Sequence, residues 1–260
     1  MIPDVEIKEK AVKYGVPAST VERDYAQNWL LGVLGPHFKM ALKGGTGIRK
    51  VFIDDYRFSD DLDFTLLREY SFDEVRNGLI AAVSDAKYQS GIEFLDDVVV
   101  DEVDNGFVGV VYFRVLRSTG NPLRIKLDLT GHEKEAVVLQ PESRMIHHGY
   151  SDEFSYSVLS YRFEELFSEK IRALFERTRP RDLYDVWMLK DFKLELSDVV
   201  VRKFDFKEVV FDLEGLEQRK GYFDAAWRIS LGHQLRDLPE FEHVFMGVMD
   251  FLTKLEDLFE

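Results

Sequence analysis

The apolar residues of this chain keep two periods, and the places where one gives way to the other mark its elements. Residues 5–14 read as a short helix ended by Gly15 and Pro17. Ser19 and Glu22 have the capping-box spacing, and Val21, Tyr25, Trp29, Leu30 and Val33 follow at helical intervals. That predicts a second helix to about Leu34, stopped by Gly35-Pro36. Another capping box, Ser71 to Glu74, opens a helix expected to reach about Tyr88 and to end near Gly91. The period then falls to two. Glu93–Val103, Phe107–Arg117 and Leu123–Thr130 are rich in Val, Phe and Ile and read as strands, with Asp104-Asn105-Gly106 as the first hairpin turn and Ser118–Pro122 as the next.

Before those strands, Met40-Ala41-Leu42 is a short apolar run that breaks at Gly44-Gly45, where a helix can start. Asp61-Leu62-Asp63-Phe64 alternates as a strand does, with two carboxylates on one face and two apolar side chains on the other. Residues 131–160, with Pro141, Gly149 and several serines, read as mostly irregular and hold the expected domain boundary near 150. Beyond Tyr161 the pattern is helical. Phe163, Leu166, Phe167, Ile171, Leu174 and Phe175 form an apolar stripe, Pro180 opens a new helix, and further helices are expected at about 205–218, 221–230 and 239–258. The fold class is therefore α+β: a mixed β-sheet domain with flanking helices over 1–150, followed by an α-helical domain over 151–260.

Composition narrows the function classes. A chain of 260 residues with 45% hydrophobic content can bury a core. It has no cysteine, which removes disulfides and Cys-based zinc sites. Its formal charge of -14 argues against broad binding to polyanions while leaving room for a local basic patch. The opening residues lack a charged segment followed by an apolar stretch, and no apolar run approaches a membrane span, so a cytoplasmic protein without membrane contact is expected.

Asp61 and Asp63 beside a glycine turn suit a hard divalent ion, which takes oxygen ligands and keeps places for water and phosphate oxygens. The stretch is neither a P-loop nor a dinucleotide fingerprint. Arg57 and Ser59 precede the carboxylates, where a guanidinium can orient a phosphate or make an ordinary ion pair. Other charged residues read more plainly. Glu22, Arg23 and Asp24 fit the solvated side of the second helix, and adjacent His147 and His148 fit the surface better than a zinc site. Arg124, Lys126 and Asp128 share the wet face of a strand, and Lys170 reads as a lysine snorkelling from the apolar stripe. Asp182 and Asp185, three apart, share one helix face; Asp182 also suits a dipole-favouring acid of the first turn.

Leu42-Lys-Gly-Gly-Thr46, followed by Arg57-Phe-Ser-Asp-Asp-Leu-Asp-Phe64, resembles the signature of the AbiEii/AbiGii toxin family of nucleotidyltransferases, within the DNA-polymerase-β-like superfamily. Glu22-Arg-Asp-Tyr25, Ile125-Lys-Leu-Asp128, Glu169-Lys-Ile-Arg-Ala-Leu174 and Arg181-Asp-Leu-Tyr-Asp185 resemble further motifs of that family, so the likeness spans roughly residues 20 to 190. Where the superfamily often has Gly-Ser after its first strand, this chain has Gly45-Thr46, which keeps a hydroxyl.

The resemblance implies an enzyme that moves a nucleoside monophosphate from an NTP to a hydroxyl acceptor with Mg²⁺ or Mn²⁺, as the toxin of a toxin–antitoxin or phage-defence pair. RNA, a tRNA 3′ end in particular, is the candidate acceptor and a cognate antitoxin the candidate partner. Asp61 and Asp63 would hold metal, and Asp128 would be a third ligand or the general base. Lys43, Gly44, Gly45, Thr46, Arg57, Ser59 and Asp182 would bind nucleotide. Lys170 and Asp185 would be catalytic, from a helical domain that completes the cleft. Two other classes stay open. A non-catalytic nucleotide- or RNA-binding module would tolerate loss of one carboxylate, and a metal-dependent nuclease needs no triphosphate cradle.

Overall fold

The chain was described with a computed structural model, which covers residues 1–116 and 119–259; the expectations at Arg117 and Ser118 lie outside the described residues. Two units are present, one formed by Met1–Glu135 and Pro141–Tyr161, the other by Ala136–Gln140 and Arg162–Glu260.

In the first unit the order is α1 (Asp4–Tyr14), α2 (Ala18–Leu34), β1 (Met40–Lys43), α3 (Gly44–Gly47), a π-helical turn (Ile48–Phe52), β2 (Asp61–Leu66), α4 (Phe72–Ser90), β3 (Glu93–Val103), β4 (Gly106–Arg114), β5 (Leu123–Thr130), β6 (Glu142–Met145) and β7 (Ser157–Ser160). Among the described residues the strands make one mixed sheet in the order β3-β4-β5-β2-β1-β7-β6. β2 runs antiparallel to β1 and parallel to β5. Alternation decides which side is dry. Leu62 and Phe64 of β2 and Ile125, Leu127 and Leu129 of β5 are buried in one core with residues of α2 and α4. Full burial of such side chains contributes roughly 1.5–3 kcal/mol each. The opposite face of the same strands carries Asp61, Asp63, Lys126 and Asp128.

The local signals succeed where no tertiary partner competes. At α4, Ser71 Oγ accepts from Glu74 N (3.3 Å), Glu74 Oε2 accepts from Ser71 N (2.9 Å), and Gly91 ends the helix at φ 70°. The box expected at Ser19 does not form. Instead α2 starts after Pro17, and Glu22 accepts a hydrogen bond from Leu116 N at 3.0 Å. Nor is that side of α2 solvated: Glu22 and Asp24 are buried. Residues 131–160, read as mostly irregular, contain β6 and β7, each too short for its alternation to show.

The second unit holds α5 (Phe163–Glu176), α6 (Pro180–Leu189), α7 (Ser197–Phe206), α8 (Leu213–Gln218), α9 (Lys220–Leu231) and α10 (Phe241–Thr253). The helix expected over 205–218 overlaps only α8 and the last two residues of α7, and the rest of α7 precedes it. Glu208 turns left-handed at φ 52° between them, and Asp212 caps α8 by accepting from Gly215 N at 2.9 Å. Residues 136–140 are fastened here: Val138 N and Leu139 N donate to the Glu165 carboxylate at 2.8 and 2.9 Å, and Lys203 Nζ neutralises it at 2.8 Å.

Candidate active site

The site of the first unit is built on the break between β1 and α3. Gly44 takes φ +69°, a left-handed conformation that a residue with Cβ adopts only with strain. A Cβ there would also collide with the Asp63 side chain, falling 2.9 Å from its Cγ and 3.0 Å from its Cβ. At Gly45 a Cβ would lie 2.7 Å from the Arg57 guanidinium and 3.3 Å from Ser59 Oγ. The two glycines therefore let the backbone turn lie directly against Asp63, Arg57 and Ser59. Thr46 is buried, and its hydroxyl donates to Asp61 O at 2.5 Å, so it tethers α3 to the start of β2.

Register places the acids. Asp63 is the Cα partner of Asp128 on β5 and of Lys43 on β1, and Asp61 is the partner of Lys126. Partners on adjacent strands project to the same side, with strands about 4.8 Å apart, so Asp61, Asp63 and Asp128 share one face. Asp61 and Asp63 are half-buried, opposite the buried Leu62 and Phe64. Lys43 Nζ lies 3.7 Å from Glu135 Oε2. Lys126 Nζ lies 2.7 Å from Asp128 Oδ1 and 2.8 Å from Oδ2. The donors are all carboxylate oxygens around a turn that excludes a side chain, which fits a hard divalent ion in kind. Among the described residues no group of three or more His, Cys, Asp or Glu is placed so that it could hold a metal ion.

Residues of α2 that helical periodicity assigned to solvent anchor the loop before this face. Arg23 NH1 pairs with Asp60 Oδ1 at 2.7 Å, and Gln27 Nε2 donates to Ser59 O and Asp60 O at 3.1 and 3.0 Å, so α2 fixes the loop that leads into β2. The signal was present in Glu22-Arg-Asp-Tyr25, but helical periodicity alone assigned those charges to solvent.

A model of the family described as nucleotidyl transferase AbiEii toxin, type IV toxin–antitoxin system, matches residues 31–256. The chain belongs to the AbiEii family. Its fold is similar to that of MenT4, a nucleotidyltransferase toxin of Mycobacterium tuberculosis, with TM-score 0.70 and 18% identity over 99% of this chain and 90% of that one. A protein of H. pylori assigned as a nucleotidyltransferase is similar with TM-score 0.61 and 19% identity over 94% of this chain and 99% of that one. A search of curated proteins finds no significant relative.

Within this AbiEii chain, the family motifs of the second unit meet in one cluster. Lys170 Nζ lies 2.9 Å from Asp182 Oδ1 and 2.8 Å from Asp185 Oδ2, and Arg177 Nε is 2.8 Å from Asp182 Oδ2. Lys170 is not snorkelling; it is 7% exposed. Burial alone would raise the Asp182 pKa, but Lys170 and Arg177 outweigh it and hold the carboxyl well below the usual range.

A second cluster lies under the first unit's π-helical turn. Asp24 Oδ1 meets Arg49 Nε at 2.8 Å and Lys50 Nζ at 2.6 Å, and Tyr150 OH donates to Asp24 Oδ2 at 2.8 Å. Burial opposes ionisation of Asp24, yet the two cations keep its pKa far below normal. Desolvation in turn lowers Lys50 to about 8, against the pull of Asp24. His148, expected at the surface, is buried here: it stacks on Phe154 at 4.2 Å, and its Nε2 is 2.7 Å from Asp152 Oδ1. Asp152, four residues on, was the acid that sequence reading did not connect to it. No helix among the described residues is long and apolar enough to cross a membrane.

Proposed function

We propose that this AbiEii nucleotidyltransferase uses the carboxylate face of β2 and β5 to transfer a nucleoside monophosphate from an NTP to a hydroxyl acceptor, with Mg²⁺ or Mn²⁺ held by Asp61, Asp63 and Asp128. The observation that carries the reading is the fit of the Gly44-Gly45 turn against Asp63, Arg57 and Ser59. A backbone turn without Cβ, next to carboxylates and a guanidinium, is the arrangement a triphosphate with its counter-ion needs, and cleavage of a nucleic-acid strand does not need it.

A bound divalent ion would neutralise phosphate charge and lower the pKa of the acceptor hydroxyl. The chain's own groups do the rest. Amides at Gly44 and Gly45 donate to phosphate oxygens, Arg57 orients them with Ser59 beside it, and Lys43 adds positive charge at the end of β1. Thr46 acts by holding Asp61 in position. Asp128 is the group placed to ligate metal or to take the acceptor proton. In the helical unit, Lys170 would stabilise charge developing on phosphate, Asp185 would hold that ammonium, and Asp182 would serve nucleotide binding. Family membership supports a cognate antitoxin as partner, and RNA, a tRNA 3′ end in particular, is the proposed acceptor. The cytoplasm, where NTP and RNA meet, is the proposed compartment.

Incubation with each labelled NTP, Mg²⁺ and total RNA tests the reading. Label joined to RNA is the expected result. Binding without transfer would leave a nucleotide-binding module, and shortened RNA without label a nuclease.

A further inference from the structure

The Lys126–Asp128 pair stands in the way of the site just described. Its ammonium lies 2.7 and 2.8 Å from the two oxygens of one carboxylate, on the bisector where a cation bound by both oxygens would sit. Lys126 is also the Cα partner of Asp61, so its stem rises from the same face as all three acids. Three like charges on one face repel, and an ammonium among them relieves that repulsion. The pair is exposed enough to open: Lys126 and Asp128 side chains are 41% and 33% exposed. A pair of this kind is worth about 0–1 kcal/mol, unlike the fully buried Lys203–Glu165 pair, so a divalent ion can displace it.

We propose that Lys126 is a built-in counter-cation: it pairs with both oxygens of Asp128, competes with the divalent ion for them, and so sets the metal affinity of the face. This rests on the reading of Asp61, Asp63 and Asp128 as metal ligands. Once displaced, the ammonium stays on the same face as a point charge for phosphate oxygens. Lys126 is a positioning residue in this scheme, since it acts through Asp128.

Mn²⁺ binding to the nucleotide-free full chain, read by titration calorimetry and by paramagnetic resonance of the free ion, tests it without any turnover. Lys126→Met should tighten Mn²⁺ binding by about twofold to fivefold, the upper end set by the worth of a half-exposed pair. It should also enlarge the rise in Tm on Mn²⁺ saturation, while Lys126→Arg keeps native values. Lys126→Gln serves if the methionine variant does not fold. Unchanged or weaker Mn²⁺ binding in these variants, with binding abolished by Asp63→Asn, overturns the role of Lys126 and leaves the metal site standing. Native Mn²⁺ binding in Asp63→Asn, or no binding by native protein and Lys126→Met alike, removes the metal assignment and the proposal with it.

Discussion

Gly44→Ala tests the central turn with one methyl group. Two costs add. Alanine at φ +69° bears the left-handed penalty of about 1–2 kcal/mol. The new Cβ must also clear an Asp63 side chain whose Cγ and Cβ would be only 2.9 and 3.0 Å away. Rotating the carboxylate does not move Asp63 Cβ, so β1 or β2 must shift, which adds about 1 kcal/mol or more as overpacking does. The sum is about 2–3 kcal/mol of stability. Because the shift falls on a proposed metal ligand, Mn²⁺ binding should weaken by at least about tenfold, or 1.4 kcal/mol. Gly35→Ala is the internal control: its φ is -55° and nothing lies within 4 Å of a Cβ there, so it should be neutral or stabilise by up to about 1 kcal/mol. Urea unfolding followed by circular dichroism, with Mn²⁺ titration alongside, reads both. If Gly44→Ala matched Gly35→Ala within about 0.5 kcal/mol and bound Mn²⁺ normally, the close approach of the turn to Asp63 would not exist.

Asp61→Asn or Asp63→Asn removes charge without volume, so transfer should fall by roughly 10²-fold or more while stability without metal holds or rises; near-normal turnover at saturating Mg²⁺ would contradict the assignment. Lys170→Met leaves Asp182 and Asp185 buried without their ammonium, and should destabilise by about 3–5 kcal/mol before catalysis is measured; an unchanged urea midpoint would show that the pairing carries nothing. Asp24 and Asp182 have depressed folded pKa values, so their stabilisation is present above the unfolded value of about 3.9 and is lost as pH falls below it; acid unfolding of Asp182→Asn should be less steep than native. Lys50, lowered to about 8, binds fewer protons folded than unfolded between there and about pH 10.4, so stability should climb across that interval; a profile shared by native protein and Lys50→Met would refute its source.

Periodicity and turn chemistry were sufficient for most of the fold. Strand alternation in Asp61–Leu66 and Leu123–Thr130 stated which side chains go inward, and the register then set Asp63 beside Asp128. That last step was legible only through family resemblance, because a parallel pairing between strands sixty residues apart leaves no local trace. The same limit explains the errors. Asp24 looks like a solvated charge when read within its own helix, since its partners Arg49 and Lys50 come from elsewhere in the chain.

Burial separates the charged groups by task. Asp24 is buried and paired, with both oxygens committed to Arg49, Lys50 and Tyr150. Asp61, Asp63 and Asp128 are half-buried on one strand face, and the partner of Asp128 is a lysine that solvent can reach. A carboxylate must be desolvated enough to bind metal tightly yet accessible enough to receive it. Of the acidic groups described in the first unit, those on the β2 and β5 face meet both conditions, and the cluster around Asp24 meets only the first.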